Sequence, residues 1–277
     1  MKPRVVVLHG HHTSEHGWSV YDLLKDEFDF TFAVTDHNAQ PASVDAKPHA
    51  VVRSRRGLLP RGRVFDMATL LPGDAYRGLD EIVAGADIVH SVEVGPWYSG
   101  QAASLRRTAH FRLVVTVWET IPLLDAYRRK RARDHRAVTL AHTDLFLPVS
   151  ERSRLVMRLE GIEDDRIMVC PPHVDTATFA STPRVPVDPT SPLIVSPGRL
   201  VWEKGHQDVL RAAALLRRGI VTRSDGSRVD PRVLVVGSGP DEKRLKAHAV
   251  ELGLSDSVEF RSSVTSVEMA AAFAGAA

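Results

Sequence analysis

The chain has 277 residues, 43% hydrophobic and 25% charged, enough apolar material for one large or two medium globular domains. A formal net charge of +2 gives no global case for nucleic acid, and a single cysteine excludes an internal disulfide framework and fits a reducing compartment. No apolar run approaches the roughly 20 residues of a spanning helix, and the start, from Met1 to Leu8, lacks the apolar length of a signal peptide, so the expected setting is the cytoplasm.

Strand signals fall at 4–9, 28–35, 87–92, 113–118, 145–149 and 167–170. Several are continuous β-branched runs, as expected of strands buried on both faces. Helical stretches at 19–27, 76–84, 100–108, 125–141 and 151–159 alternate with them, the pattern of a doubly wound parallel sheet. Cys170 ends the apolar run Ile167-Met168-Val169-Cys170, where a buried, inert thiol is expected. Pro183, Pro186, Pro189 and Pro192 then recur at every third position, the period of polyproline II, and mark a linker at 183–192 between domains at 1–182 and 193–277. A second alternation follows: strands at 193–196, 233–236 and 258–260, helices at 204–218, 241–252 and 267–273. Thr265 and Glu268 have capping-box spacing for the last helix. Three strands are fewer than a complete Rossmann domain has, so the fold expected is α/β with two Rossmann-like parallel-sheet domains, the second incomplete.

The chemistry gathers at strand ends. Gly198-Arg199-Leu200-Val201-Trp202-Glu203-Lys204-Gly205 follows a strand and precedes a helix, placing two cations where open α/β sheets bind ligands. Fixed cations beside a helix N-terminus suit a diphosphate; the plainer alternative is a solvated turn. Gly237-Ser238-Gly239-Pro240 follows the next strand, and its amides suit a phosphate or a sugar, although a tight strand-to-helix turn explains it equally well. Gly10-His11-His12-Thr13-Ser14-Glu15-His16-Gly17 is a glycine-bounded loop after the first strand but not the G-x-G-x-x-G dinucleotide fingerprint. Its histidines lack accompanying cysteines or tight carboxylates, so no metal is assigned. Trp118 and Glu119 end a strand, where the indole would stack on a sugar face and the carboxylate accept from hydroxyls, unless they are a core tryptophan and a capping glutamate. Basic segments at 53–63 and 127–136 suit peripheral contact with anionic lipid at the inner membrane face, against the alternative of a solvated face. Aromatic residues are not interleaved with these cations, which argues against nucleic acid.

Together these motifs resemble the N-terminal three-quarters of a glycosyltransferase family 4 enzyme, a retaining two-Rossmann (GT-B) type. Ser196-Pro197-Gly198-Arg199-Leu200 with Glu203-Lys204-Gly205 carries the strongest likeness, then Val235 to Pro240, Leu147 to Glu151, Pro171 to Phe179, and Val258 to Ser262. The resemblance implies that Arg199 and Lys204 bind the diphosphate of a nucleotide-sugar and act as catalytic countercharges. Gly198, Gly205, Gly237, Ser238, Gly239 and Arg261 would complete the donor site. Gly10, His11, His12, Gly17 and Trp118 would face a glycan, lipid or small-molecule acceptor, with Glu119 in a catalytic position. It implies no cofactor and no metal, a hexose as the transferred group, and closure about the linker. The sequence also departs from the family: Trp118-Glu119 stands where many members have His-Asp, Ser262 and His173 replace usual glycines, and the family's Glu-x7-Glu motif would lie beyond Ala277. Two other classes compete. One is a non-catalytic fragment that retains acceptor or nucleotide binding. The other is a nicotinamide-dependent dehydrogenase, which Asp36 at a strand end would suit but the first loop does not.

Overall fold

The structure, a computed structural model, describes residues 1–11, 20–36, 49–55, 73–123, 130–173 and 176–277. They form two compact units, Met1–His173 and Val174–Ala277.

The first unit is a six-stranded, fully parallel sheet in the order β3-β2-β1-β4-β5-β6. Its strands are β1 (Arg4–Leu8), β2 (Asp29–Thr35), β3 (His49–Val52), β4 (Ile88–Val92), β5 (Arg112–Val117) and β6 (Leu145–Pro148). This is the Rossmann order, with β1 and β4 side by side at the switch point. In that register Val5 lies between Phe30 and Ile88. The helices are α1 (Leu79–Val83), α2 (Trp97–Arg106), α3 (Lys130–His142) and α4 (Glu151–Leu159). One face of the sheet builds the main core from Val6, Leu8, Val89, Leu113, Val115, Val117 and Phe146, with Ala102, Ala103, Val156 and Met157 from helices. On the other face Val5, Val7, Phe32 and Val34 pack around Tyr21. A hollow of about 610 Å³ opens there, lined by Val114, Leu147, Val149, Trp118 and Cys170 among others.

Several boundaries differ from expectation. β3 (His-Ala-Val-Val) gives too short an apolar run to register against its polar surroundings. α2 begins at Trp97, because Pro96 sets an extended N-cap there. Residues 20–22 are helical and 23–27 form turns. The stretch 167–170 is not a full strand. It makes one bridge, Ile167 to Phe146, and runs along the outer edge of β6 through Met168 N–H to Phe146 O (2.9 Å) and Cys170 N–H to Pro148 O (2.9 Å). That edge position leaves Cys170 exposed, which corrects the expectation of a buried thiol.

The second unit is a parallel sheet of β7 (Leu193–Pro197), β8 (Arg232–Val236) and β9 (Val258–Arg261), in that order. Its helices are α5 (Thr176–Ala180), α6 (His206–Arg217), α7 (Glu242–Glu251) and α8 (Ser266–Ala274). Leu210, Ala213, Ala214, Val233, Val235, Leu245 and Leu254 make its core. Ala276 pairs in parallel with Leu193, on β7. The capping box of Thr265 and Glu268 is present. The unit begins before the proline segment because α5 packs on α8, with Phe179 and Phe273 6.1 Å apart. The prolines are tethered to this unit as well, through Val185 N–H to Ala274 O (3.0 Å) and Arg223 to Pro189 O (2.9 Å).

Candidate functional site

In the second unit, the turn after β7 is held by two independent devices. The first is backbone on backbone. Gly198 (φ 149°) and Gly237 (φ 147°) both adopt conformations that favour glycine. Gly198 N–H donates to Val236 O (2.8 Å), and Leu200 N–H donates to Ser238 O (2.9 Å). A Cβ on Gly237 would lie 1.9 Å from Gly198 O, and one on Gly239 2.4 Å from Leu200 O. The second device is His206, 1% exposed, whose Nδ1 meets Ser196 Oγ (2.8 Å) and whose Nε2 meets Arg199 O (3.1 Å). Gly205 (φ 71°) ends a short 3₁₀ turn, Trp202–Lys204, and serves as the N-cap of α6, which breaks the single helix expected over 204–218.

The outcome is a rigid turn that lifts Arg199 and Lys204 into solvent. Neither side chain forms an ion pair among the described residues. Two uncompensated cations beside the N-terminus of a 12-residue helix make an anion-binding edge. In the glycine turn after β8, one amide is already engaged. Gly237 N–H donates to Arg261 O (2.8 Å), so it is spent on β9, and the glycines serve close packing. Ser238 remains exposed. Arg261 is paired with Glu259 at 2.6 Å.

In the first unit, Gly10 and His11 are clamped from beneath. Gly10 (φ 61°) donates its N–H to Tyr76 Oη (2.9 Å), and the Tyr98 ring lies against its Cα. Tyr76 in turn donates to Ala33 O. Both ring nitrogens of His11 are engaged, Nδ1 with Thr35 Oγ1 (2.9 Å) and Nε2 with Asp74 (2.5 Å). This loop start is therefore fixed by its own hydrogen bonds, with the Gly10 N–H engaged by Tyr76. His12, His16 and Gly17 lie outside the described residues.

At the end of β5, Trp118 is 51% exposed and available for stacking, so the core alternative does not hold. Glu119 is not free to accept from a substrate. It pairs at 2.9 Å with Arg136, which is 5% exposed and also gripped by Glu160 through two nitrogens. The basic segment at 127–136 is accordingly not a uniform cationic face, for Arg136 points inward, Lys130 pairs with Asp134, and 127–129 lie outside the described residues. Most of the 53–63 segment is also outside them. No described helix is long and apolar enough to cross a membrane.

Beside this corner stands a residue without a motif to announce it. Glu93 follows β4 with φ 65°, the left-handed region that a non-glycine residue rarely occupies. Its Oε1 accepts the Trp118 N–H (3.0 Å), while Oε2 is buried without a hydrogen-bond partner. Burial, then the nearby Glu119, pushes its carboxyl up to about 7, partly offset by the Trp118 amide and Arg136. In the hollow, burial pulls His9 down to about 4 and His90 to about 3, so both rings are neutral at pH 7.

Two parallel-sheet units of this kind, one with two exposed cations on the turn at its carboxyl edge, are the parts of a GT-B-type fold. Solved structures agree on the fold. Anabaena Alr3699/HepE in complex with UDP and glucose superposes with a TM-score of 0.65 at 14% identity, over 97% of this chain and 72% of that one. UDP-GlcNAc 2-epimerase from Neisseria meningitidis, bound to UDP-GlcNAc, gives 0.58 at 10% identity, over 99% and 76%. Residues 180–276 match the family model of glycosyl transferases group 1. Among curated proteins it is similar to the D-inositol 3-phosphate glycosyltransferase of Pseudarthrobacter chlorophenolicus, 34% identical over 157 residues that make up 54% of this chain and 36% of that protein. The same enzyme of Acidothermus cellulolyticus is 37% identical over 122 residues, 39% and 26% of the two chains. The chain thus spans about a third or less of the curated relatives it matches.

Proposed function

We propose that the protein transfers a hexose, with retention, from a nucleotide-diphospho-sugar to a glycan, lipid or small-molecule acceptor. The observation that carries this reading is the rigid turn presenting Arg199 and Lys204 without ion-pair partners among the described residues. As the glycosidic bond to the diphosphate breaks, negative charge grows on the leaving oxygens. Cations already in place stabilise that charge without reorganising. Neither a metal nor a cofactor has a part in this account, and no protein nucleophile is assigned. The Anabaena structures in complex with UDP and with UDP-glucose favour a uridine donor. The curated relatives' names favour a polyol acceptor. Trp118 supplies the stacking surface on the acceptor side. Glu119 holds that surface through Arg136 and is not given a reacting role.

Isothermal titration with UDP-, GDP- and ADP-sugars and with NAD tests the assignment. One of the nucleotide-sugars should bind and NAD should not. Arg199→Ala and Lys204→Ala should each weaken binding roughly 10- to 100-fold, since a hydrogen bond to a charged group contributes about 1.5–3 kcal/mol. Unaltered affinity in the double variant with an intact circular dichroism spectrum would remove the reading. Binding without turnover over a panel of polyol acceptors would favour the non-catalytic alternative.

A further inference from the structure

We propose that Glu93 is a positioning residue for the acceptor corner: a carboxyl held on strained backbone, its protonation state setting where Trp118 and Glu119 stand. The inference rests on the acceptor-side reading of Trp118 given above.

Geometry makes the first part of the case. Glu93 ties β4 to the end of β5 twice, through its own N–H to Thr116 O (2.7 Å) and through Oε1 to the Trp118 N–H (3.0 Å). The second of these fixes the peptide from which the half-exposed indole projects. The backbone is in a left-handed conformation at a residue that is not glycine. A strained backbone with a buried, unpartnered oxygen is a costly combination, and such combinations cluster at sites where geometry matters more than stability.

The electrostatics supply the second part. Glu119 faces Glu93 from the end of β5, Tyr98 from α2 and Arg136 from α3. Glu119 and Glu160 both hold Arg136, whereas Glu93 does not. Glu93 keeps its proton into the neutral range. When it loses that proton, a new charge appears beside Glu119 and competes for Arg136. Glu119 and Trp118 are adjacent in the chain, so a displacement of one carries the other. The corner has two settings, and the pH near neutrality selects between them.

The test follows the Trp118 indole N–H in ¹⁵N–¹H spectra of the full chain between pH 5.5 and 8.5, assigned with Trp118→Phe. The signal should titrate with a midpoint near 7. Glu93→Gln, which mimics the protonated form, should hold it at its low-pH position throughout. A signal that does not move, or that still titrates in Glu93→Gln, overturns the proposal. Should Glu93→Gln not fold, Glu119→Gln serves instead: removing the facing charge should lower the midpoint, and an unchanged midpoint overturns the proposal too. UDP is titrated into the same samples. Glu93→Gln should leave UDP affinity unchanged, because the UDP contacts assigned here lie on the second unit. UDP binding with a static Trp118 sinks this proposal alone; a titrating Trp118 without UDP binding sinks the donor assignment instead.

Discussion

Replacing Glu93 by Gln should stabilise the protein above neutral pH. The folded carboxyl titrates near 7 against an ordinary value of 4.5. A carboxyl raised on folding contributes its full stability below the unfolded value, loses it as pH climbs from 4.5 to 7, and is flat above. The span is about 2.5 pH, which at about 1.36 kcal/mol for each corresponds to at most ~3.4 kcal/mol. Glu93 is partly open to solvent, and screening brings the expected effect to about 2 kcal/mol. Glutamine keeps an oxygen for the Trp118 N–H and cannot ionise, so the strained φ is common to both proteins and cancels. Urea unfolding followed by tryptophan fluorescence at pH 4.5, 6, 7 and 8 should show equal stabilities at the acid end and a variant about 2 kcal/mol ahead at pH 8. An equal gap at every pH, or a variant weaker at pH 8, would refute the reasoning.

Two further substitutions probe the frame of the site. Gly237→Ala should destabilise the second unit by about 3 kcal/mol or more, because its methyl meets the Gly198 carbonyl at 1.9 Å and neither backbone can yield; thermal unfolding with no change in midpoint would contradict this. Arg136→Met should cost about 3–5 kcal/mol at pH 7 by stranding Glu160 and Glu119, which are 6% and 13% exposed. Urea unfolding at pH 7 with no loss of stability would contradict this.

Much of the fold was legible because β1 and β8 are β-branched runs buried on both faces, and because the Thr265–Glu268 pair caps its helix by a local rule. Arg199 and Lys204 were legible for the same local reason, being bracketed by glycines between a strand and a helix. What escaped notice depends on partners remote in sequence. Glu119 reads as available until α3 brings Arg136 against it from 17 residues away. Gly10 reads as part of an acceptor-facing loop, and its engagement by Tyr76 and Tyr98 shows only in the fold. Cys170 reads as core because its neighbours are apolar, but edge strands carry apolar residues that face outward. Glu93 carries no motif; its one sequence signal is a carboxylate between valines just ahead of Gly95-Pro96. His206 falls inside the helix expected over 204–218 with nothing to mark it, and only burial reveals it as the latch of the turn.

The contact between Gly198 and Gly237 has a consequence for how such a protein can change. The turn that presents the cations leans on the neighbouring turn through main-chain atoms, so its shape is insulated from most side-chain replacement around it. Trp202, which is 67% exposed, and the exposed Ser238 project from these same turns. Their identities can drift without moving Arg199 or Lys204. On the proposed reading, the grip on the diphosphate is thereby separated from its exposed neighbours, which can change in single steps that leave the grip intact.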